Sequence, residues 1–197
     1  MILQKISLTN FKNYEGIEIN FSKGLNCFTG LNGSGKTNLL DAIHYLSLTK
    51  SAFNSIDSQN IRHSTNFFAI RAEFEAKNKN HKLSCSLKLG EKKSFKMDDS
   101  AYDKLSEHIG KFPVVLIAPN DDDLIRESSE TRRKFVDSII SQTDKKYLFN
   151  LIQYTQYLKQ RNSLLKRINE TGKRDNDLLA QYDDQIVKLS LDLAKVR

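Results

Sequence analysis

The stretch that decides the fold is Gly30-Leu31-Asn32-Gly33-Ser34-Gly35-Lys36-Thr37. It matches the pattern G-x-x-x-x-G-K-[ST] at every fixed position, between an apolar segment and a segment with helical periodicity. Glycines let the backbone curl so that successive N–H groups face phosphate oxygens. The N-terminus of the helix that follows adds a partial positive charge. We therefore predict that all eight residues bind the phosphates of a nucleoside triphosphate, with ATP preferred.

Three side chains of this loop have predicted tasks. The Lys36 ammonium is expected to reach the β- and γ-phosphates, and the Thr37 hydroxyl is expected to ligate Mg²⁺. The Asn32 side chain can bend toward the γ-phosphate. ATP and Mg²⁺ are thus the predicted cofactors, and Thr37 is the predicted metal ligand.

Composition and charge place the chain among globular proteins. It has 197 residues, of which 39% are hydrophobic and 28% charged, and no apolar run approaches the length of a membrane helix. Its start lacks the pattern of a signal peptide, so a cytoplasmic location without a membrane partner is expected. Cys27 and Cys85 are too few for a disulfide framework, and Cys27 is predicted to lie in the core.

The first 121 residues are predicted to form an ATP-binding lobe, a mixed sheet around the helix that begins at Thr37. Alternation of apolar and polar residues predicts strands, and the apolar run Val114–Ala118 predicts a strand buried on both faces. The other predicted strands are Ile2–Leu8, Ile17–Phe21, Leu25–Thr29, Phe67–Phe74, Lys82–Leu89 and Ser94–Met97. Asp103–Ile109 is predicted to form one or two helical turns.

Residues 122–197 are predicted to begin an all-helical second domain, with a boundary near Asn120–Asp123. Helices are predicted at Ser129–Ser141, Tyr147–Arg167 and Asp177–Val196, with Gly172 separating the last two. Residues 124–174 carry 12 basic and 5 acidic side chains, which would attract a polyanion or simply form solvated helix faces. Because the last helical pattern stops in mid-period, we expect the chain to be the N-terminal part of a longer protein.

The loop alone does not define the reaction, which depends on companion motifs elsewhere in the sequence. The Asn-Lys-x-Asp motif of GTPases is missing from Asn78-Lys79-Asn80-His81. Asp121, Asp122 and Asp123 follow the Val114–Ala118 run, but Pro119 and Asn120 intervene, so they make a poor Walker B acid. A P-loop kinase or nucleotidase acting on a small substrate stays open as the alternative function.

Several stretches together resemble the RecF family, bacterial DNA replication and repair proteins of the SMC-like ABC ATPase group. The resemblance covers essentially the whole chain but only about the first half of the family architecture. It rests on the phosphate loop with its continuation to Ile43 and on four further stretches: Leu8–Tyr14, Ser51–Phe53 with Ile61–His63, Val114–Asp137, and Gln160–Lys166.

This resemblance implies a P-loop ABC-type ATPase head followed by part of a helical domain. It implies ATP-dependent binding of duplex DNA near single-strand junctions, in recombinational repair, replication restart and the SOS response. Two complete molecules would close as a homodimer around ATP, with RecR/RecO-type loading partners and weak DNA-stimulated ATPase activity. The present chain lacks the signature motif and Walker B, so it is expected to bind ATP without efficient hydrolysis.

Some positions depart from the family pattern or keep two interpretations. Lys12 stands where Arg is usual, and Asn54 stands where Arg is typical, which puts a phosphate-sensing role there in doubt. Arg62 and His63 either approach the phosphates or have only a structural role in a loop. Arg132, Arg133 and Lys134 either contact DNA phosphates or communicate with the nucleotide, or else they pair with Asp121–Asp123 or form a solvated helix face. Tyr147, Tyr154 and Tyr157 are predicted to pack rather than to stack on bases.

Overall fold

The structure is a computed structural model that describes residues 1–76, 78–118, 126, 128–173 and 175–197. Contacts divide the chain into two compact units, residues 1–116 and 117–197. The predicted domain boundary at 121/122 lies outside the described residues and stays a prediction.

In its described residues, the first unit contains a six-stranded sheet and one α-helix. Its strand order is β2-β1-β3-β4-β5-β6, and every strand pair in the described part is antiparallel. Helix α1 begins at the end of the phosphate loop. The elements are β1 (Ile2–Phe11), β2 (Tyr14–Asn20), α1 (Lys36–Leu48), β3 (Phe67–Ala76), β4 (Lys79–Lys88), β5 (Ser94–Met97) and β6 (Ser100–Ala101), with 3₁₀ turns at Asp57–Asn60 and Leu105–Glu107.

Alternation along the strands places the core on one face of this sheet. Ile6 and Leu8 of β1 are buried, whereas Lys5 and Ser7, which alternate with them, lie on the opposite face. Helix α1 buries Leu39, Ala42, Tyr45 and Leu46 in the same core. Phe68 packs edge-to-face against Phe11 at 5.4 Å and against Tyr45 at 5.6 Å, ring centre to ring centre. The face of α1 is thereby fixed against the sheet.

Two of the predicted strands do not form. Leu25–Thr29 and Val114–Ala118 have no strand assignment, and Leu25, Val115 and Ile117 are 91%, 73% and 81% exposed. The prediction that Cys27 is buried is also wrong, because its side chain is exposed. An apolar run becomes a central strand only where strands lie on both sides of it. The described sheet ends at β2 and β6, and neither segment belongs to it.

The second unit contains the three predicted helices, α2 (Ser129–Thr143), α3 (Lys145–Thr171) and α4 (Asn176–Val196). Each predicted helix is confirmed within a few residues at its ends. Gly172 ends α3 in the left-handed conformation, with φ of 69°, as expected for a glycine after a helix. The side chains of Asp144 and Asp175 cap α3 and α4 by accepting the backbone N–H of Tyr147 and Leu178.

A buried carboxylate in the middle of α2 binds residues at the start of α3 and just after α4. Asp137 of α2 accepts hydrogen bonds from the Tyr147 hydroxyl and from the Arg197 Nε and Nη2 atoms, the latter two at 2.8 and 2.9 Å. Arg161 of α3 pairs with Asp183 of α4. Tyr147 is buried, which confirms its packing role. The second unit is therefore held by directed polar contacts as well as by apolar packing.

Candidate nucleotide-binding site

The phosphate loop curls at its glycines and runs directly into α1. Gly33 and Gly35 have φ of 81° and 103°, a region that side chains with a Cβ atom rarely adopt. Gly35 is the N-cap residue of α1, and the first turn of the helix contains no acidic side chain. Its unpaired N–H groups and the positive end of its dipole are therefore available to an anion.

The Lys36 ammonium lies inside the curl of the loop. Its Nζ atom donates to the carbonyl oxygens of Gly30 and Leu31, both at 2.8 Å. The Ser34 N–H also donates to the Leu31 oxygen, at a longer 3.3 Å. Thr37, the predicted metal ligand, is exposed in the first turn of α1. These residues bring a cation, backbone donors and a hydroxyl to one end of the helix, which is the chemistry that a magnesium triphosphate requires.

The turn between β1 and β2 packs against this loop. The Asn13 Nδ2 atom donates to the Gly33 carbonyl oxygen at 3.3 Å, and the Asn13 Oδ1 atom accepts from Asn38 Nδ2 at 2.8 Å. A Cβ atom on Gly35 would lie 2.8 Å from Asn13 Nδ2 and from the Tyr14 ring. Burial raises the pKa of Tyr14, so its hydroxyl stays protonated at neutral pH. The turn and the loop are thus in direct contact.

Behind the loop, Asp41 of α1 is fully buried and binds three donors. Lys12 Nζ lies 2.5 Å from its carboxylate, which also accepts from the Ser51 hydroxyl and the Ala52 N–H, both at 2.7 Å. The Lys12 ammonium also lies 5.4 Å from the centre of the Phe53 ring. In this arrangement Lys12 ties the β1–β2 turn to α1 through Asp41.

A second buried cluster fixes the other end of α1. Lys93 Nζ donates to the Thr49 carbonyl oxygen and to Asp57 at 2.7 Å, and to the Tyr45 hydroxyl at 3.1 Å. The Tyr45 hydroxyl donates to Asp57 at 2.5 Å. Burial and this hydrogen bond raise the pKa of Tyr45 far above its ordinary value. Both ends of α1 are therefore anchored, which makes the helix a firm support for the loop.

Four other residues singled out in the sequence have local partners. Arg62 pairs with Glu15 at 3.4 Å, and the Asn54 side chain donates to Asn60 at 3.0 Å. Arg133 donates to Ser129, and Lys134 pairs with Glu130 within α2. The proposed alternative partners Asp121, Asp122 and Asp123, together with Pro119 and Asn120, lie outside the described residues.

Sequence reasoning did not identify the roles of Asn13, Asn38 and Asp41. All three lie in stretches on which the family resemblance rests, and this resemblance was the signal that could have identified them. Their contacts between the β1–β2 turn, the loop and α1 span sequence separations of 20 to 29 residues, so only the folded chain brings these groups together.

Comparison with protein families gives the class of the protein. A family described as "AAA domain" matches residues 5–196, which is nearly the whole chain. The chain therefore belongs to the AAA domain family.

In the described part, no helix is long and apolar enough to cross a membrane.

The particular relatives are RecF proteins. The chain is 50% identical to the DNA replication and repair protein RecF of Flavobacterium johnsoniae over 186 residues, covering 94% of this chain and 52% of that protein. It is 46% identical to RecF of Cytophaga hutchinsonii over 197 residues, covering 100% of this chain and 52% of that protein. The resemblance to the RecF family is confirmed, and the chain spans about half the length of these curated relatives.

Two solved structures are similar in fold to this chain. The structure of the recombination mediator protein RecF with ATP, of the RecFOR pathway, superposes with a TM-score of 0.90 at 35% identity, covering 98% of this chain and 52% of that one. A structure from a study of ATP-driven dimerisation of SMC ATPases superposes with a TM-score of 0.55 at 22% identity, over 70% of this chain and 98% of that one, which is a likeness of fold. The predicted fold class, a P-loop ABC-type ATPase head followed by helices, is confirmed.

Proposed function

We propose that this chain is the ATP-binding part of a RecF-type protein of DNA repair and replication. The observation that carries the proposal is the loop of Gly30–Thr37, with Lys36 inside its curl and the open N-terminus of α1 beside it. ATP is proposed because a relative with a TM-score of 0.90 is described with ATP. Mg²⁺ would be held by the Thr37 hydroxyl together with phosphate oxygens.

Titration of the chain with a fluorescent ATP analogue in Mg²⁺ tests this proposal. Saturable binding that ATP displaces and GTP does not is expected, and Lys36→Ala should abolish it. Omission of Mg²⁺ should weaken binding, and Thr37→Ala should remove most of that Mg²⁺ dependence. Binding that survives in Lys36→Ala would contradict the proposed site.

For the whole protein we propose ATP-dependent binding of duplex DNA near single-strand junctions, as a homodimer that acts with RecO- and RecR-type partners. Residues 1–121 would form the ATP-binding lobe and residues 122–197 the start of a helical arm. On the basis of the same family, we also propose a cytoplasmic location and a role in the SOS response to DNA damage. Efficient hydrolysis would need acids and a signature motif that this chain lacks, so the chain itself is proposed to bind ATP with little turnover. A small-molecule kinase is not favoured by the relatives found.

The basic side chains of α3 are the proposed contribution of this chain to DNA binding. Lys146, Lys159 and Arg167 are exposed, and the described part of the chain gives them no acidic partner. Phosphate contacts release counterions, so each lost contact lowers the salt dependence of binding by about one unit of slope in log K against log salt. Lys159→Gln and Arg167→Gln should each show this decrease. The control Lys188→Gln on α4, in an acidic segment, should leave the slope unchanged.

If the Lys159 and Arg167 variants keep the slope of the unmodified protein, the α3 surface is not the DNA contact. The ATP-binding proposal would be unaffected, because it rests on the loop.

A further inference from the structure

We infer that Asn13 is a positioning residue for the phosphate loop. Its side-chain amide links the Gly33 carbonyl to Asn38 of α1, and thereby orients the peptide group between Gly33 and Ser34. The inference rests on the proposed binding of ATP and adds a residue outside the loop that prepares it for phosphate.

The chemistry of the partners fixes the orientation of the Asn13 amide. A carbonyl oxygen only accepts hydrogen bonds, so the atom of Asn13 that faces the Gly33 oxygen must be its NH₂ group. The Oδ1 atom then faces Asn38, whose Nδ2 atom donates to it at 2.8 Å. Both ends of the Asn13 amide are therefore satisfied, one by the loop and one by the helix that follows it.

This link determines where the Ser34 N–H points. In a trans peptide the C=O and the following N–H point in opposite directions. With the Gly33 oxygen held toward Asn13, the Ser34 N–H is directed away from it, to the side where the Leu31 oxygen accepts it at 3.3 Å.

Close packing supports the same role. A Cβ atom on Gly35 would meet Asn13 Nδ2 and the Tyr14 ring at 2.8 Å, so the β1–β2 turn is in contact with the last glycine of the loop. Lys12 holds that turn through the buried carboxylate of Asp41. Asn13 is neutral, so its contribution is the preset geometry of the loop and not attraction of the phosphate charge.

The test measures the dissociation constant of MgATP for the full chain and for Asn13→Ala. One neutral hydrogen bond that presets a binding geometry corresponds to roughly a three- to tenfold weaker binding when it is removed. Asn13 is exposed, so the melting temperature should stay close to that of the unmodified chain. Asn20→Ala, an exposed asparagine at the end of the same hairpin, is the matched control and should bind as the unmodified chain does.

Two further variants separate the link from a local effect. Asn38→Ala removes the donor to Asn13, and if it acts through Asn13 the double variant should bind no more weakly than Asn13→Ala alone. Asn13→Asp keeps the acceptor for Asn38 but loses the donor to Gly33 and adds a negative charge, so it should bind more weakly than Asn13→Ala. Independent effects of Asn13→Ala and Asn38→Ala would overturn the linked arrangement.

A second readout needs no nucleotide. The backbone amide signal of Ser34 in a ¹H–¹⁵N spectrum should move in Asn13→Ala and stay in place in Asn20→Ala. An unchanged Ser34 signal overturns the inference, whether or not ATP binds. If Asn13→Ala binds MgATP normally while Lys36→Ala does not bind it, the inference fails and the proposed function stands. If the unmodified chain does not bind ATP, the proposed function fails.

Discussion

Replacement of Lys12 by methionine is expected to destabilise the first unit strongly. The substitution removes the ammonium but keeps a stem that can still pack on Phe53. The Lys12 side chain is 11% exposed and that of Asp41 is 0% exposed, so the pair is almost fully removed from water. Loss of one partner of a buried pair costs about 3–5 kcal/mol, because the other charge is left buried and unpaired. We expect the lower end, about 3 kcal/mol, because Ser51 and Ala52 still donate to the carboxylate.

The complementary changes sharpen this expectation. Asp41→Asn should also cost about 3 kcal/mol, because the Lys12 ammonium, on a side chain that is 11% exposed, loses the charge that pairs with it. The double variant Lys12→Met/Asp41→Asn buries no charge at this position. It should therefore be more stable than Lys12→Met alone, although it carries one more substitution.

Cys85 provides a probe of the first unit. It is 1% exposed, and burial raises its pKa to about 12, so its thiol should react only after the unit opens. Pulsed alkylation of Cys85 across a urea series, with Cys27 replaced by serine throughout, gives the free energy of unfolding of this unit. A unit-specific probe is needed because two units need not unfold together.

Lys5→Met is the matched control, on the same strand and with the same chemical change. Lys5 pairs with Glu18 at 2.8 Å, but the two side chains are 35% and 57% exposed. An exposed pair of this kind contributes little to stability, because water screens both charges. A Lys12→Met effect no larger than that of Lys5→Met, or a double variant less stable than Lys12→Met, would refute the reasoning.

Three further outcomes are expected. A thiol reagent at neutral pH should modify only exposed Cys27 in the folded chain and should reach Cys85 after denaturation; rapid reaction of both would contradict the burial of Cys85. Burial lowers the pKa of His44, because it disfavours the charged imidazolium. The neutral His44 side chain therefore contributes fully to stability above the unfolded-state pKa of about 6.5. This contribution is lost as the pH falls toward the lower folded-state pKa. His44→Gln should therefore reduce the stability difference between pH 7.5 and pH 5, measured by urea unfolding. Tyr147→Phe should lower the free energy of unfolding of the helical unit by about 1 kcal/mol. Asp137→Ala should lower it by about 3 kcal/mol, because Arg197 and Tyr147 both lose their acceptor. Urea unfolding followed by circular dichroism measures both changes.

The sequence predicted the elements that depend on local information. The alternation of β1, β3 and β4 and the helical spacing of α1 to α4 depend on neighbouring residues and on burial of one face. Gly172 was correctly predicted to separate α3 from α4, because a glycine in the left-handed conformation ends a helix through contacts with its own last turn. The phosphate loop is also local, since its eight residues are consecutive and carry their own turn geometry.

Strands that need distant neighbours were mispredicted. Leu25–Thr29 and Val114–Ala118 have the composition of buried strands, but composition gives only a preference for burial. A strand also needs partners for its N–H and C=O groups, and these come from segments remote in the chain. The wrong prediction for Cys27, which is exposed, has the same origin, because its predicted burial assumed that the strand around it existed.

The loop residues that could bind phosphate were determined by the sequence alone, because their chemistry resides in eight consecutive residues that include three glycines, one lysine and one threonine. What supports the loop was decided only by the tertiary structure. Asn13 reaches Gly33 and Asn38 across the β1–β2 turn, and Lys12 reaches the buried carboxylate of Asp41. The residues in these contacts are brought together by the packing of α1 on the sheet, and no periodicity or spacing in the sequence encodes which side chains meet there.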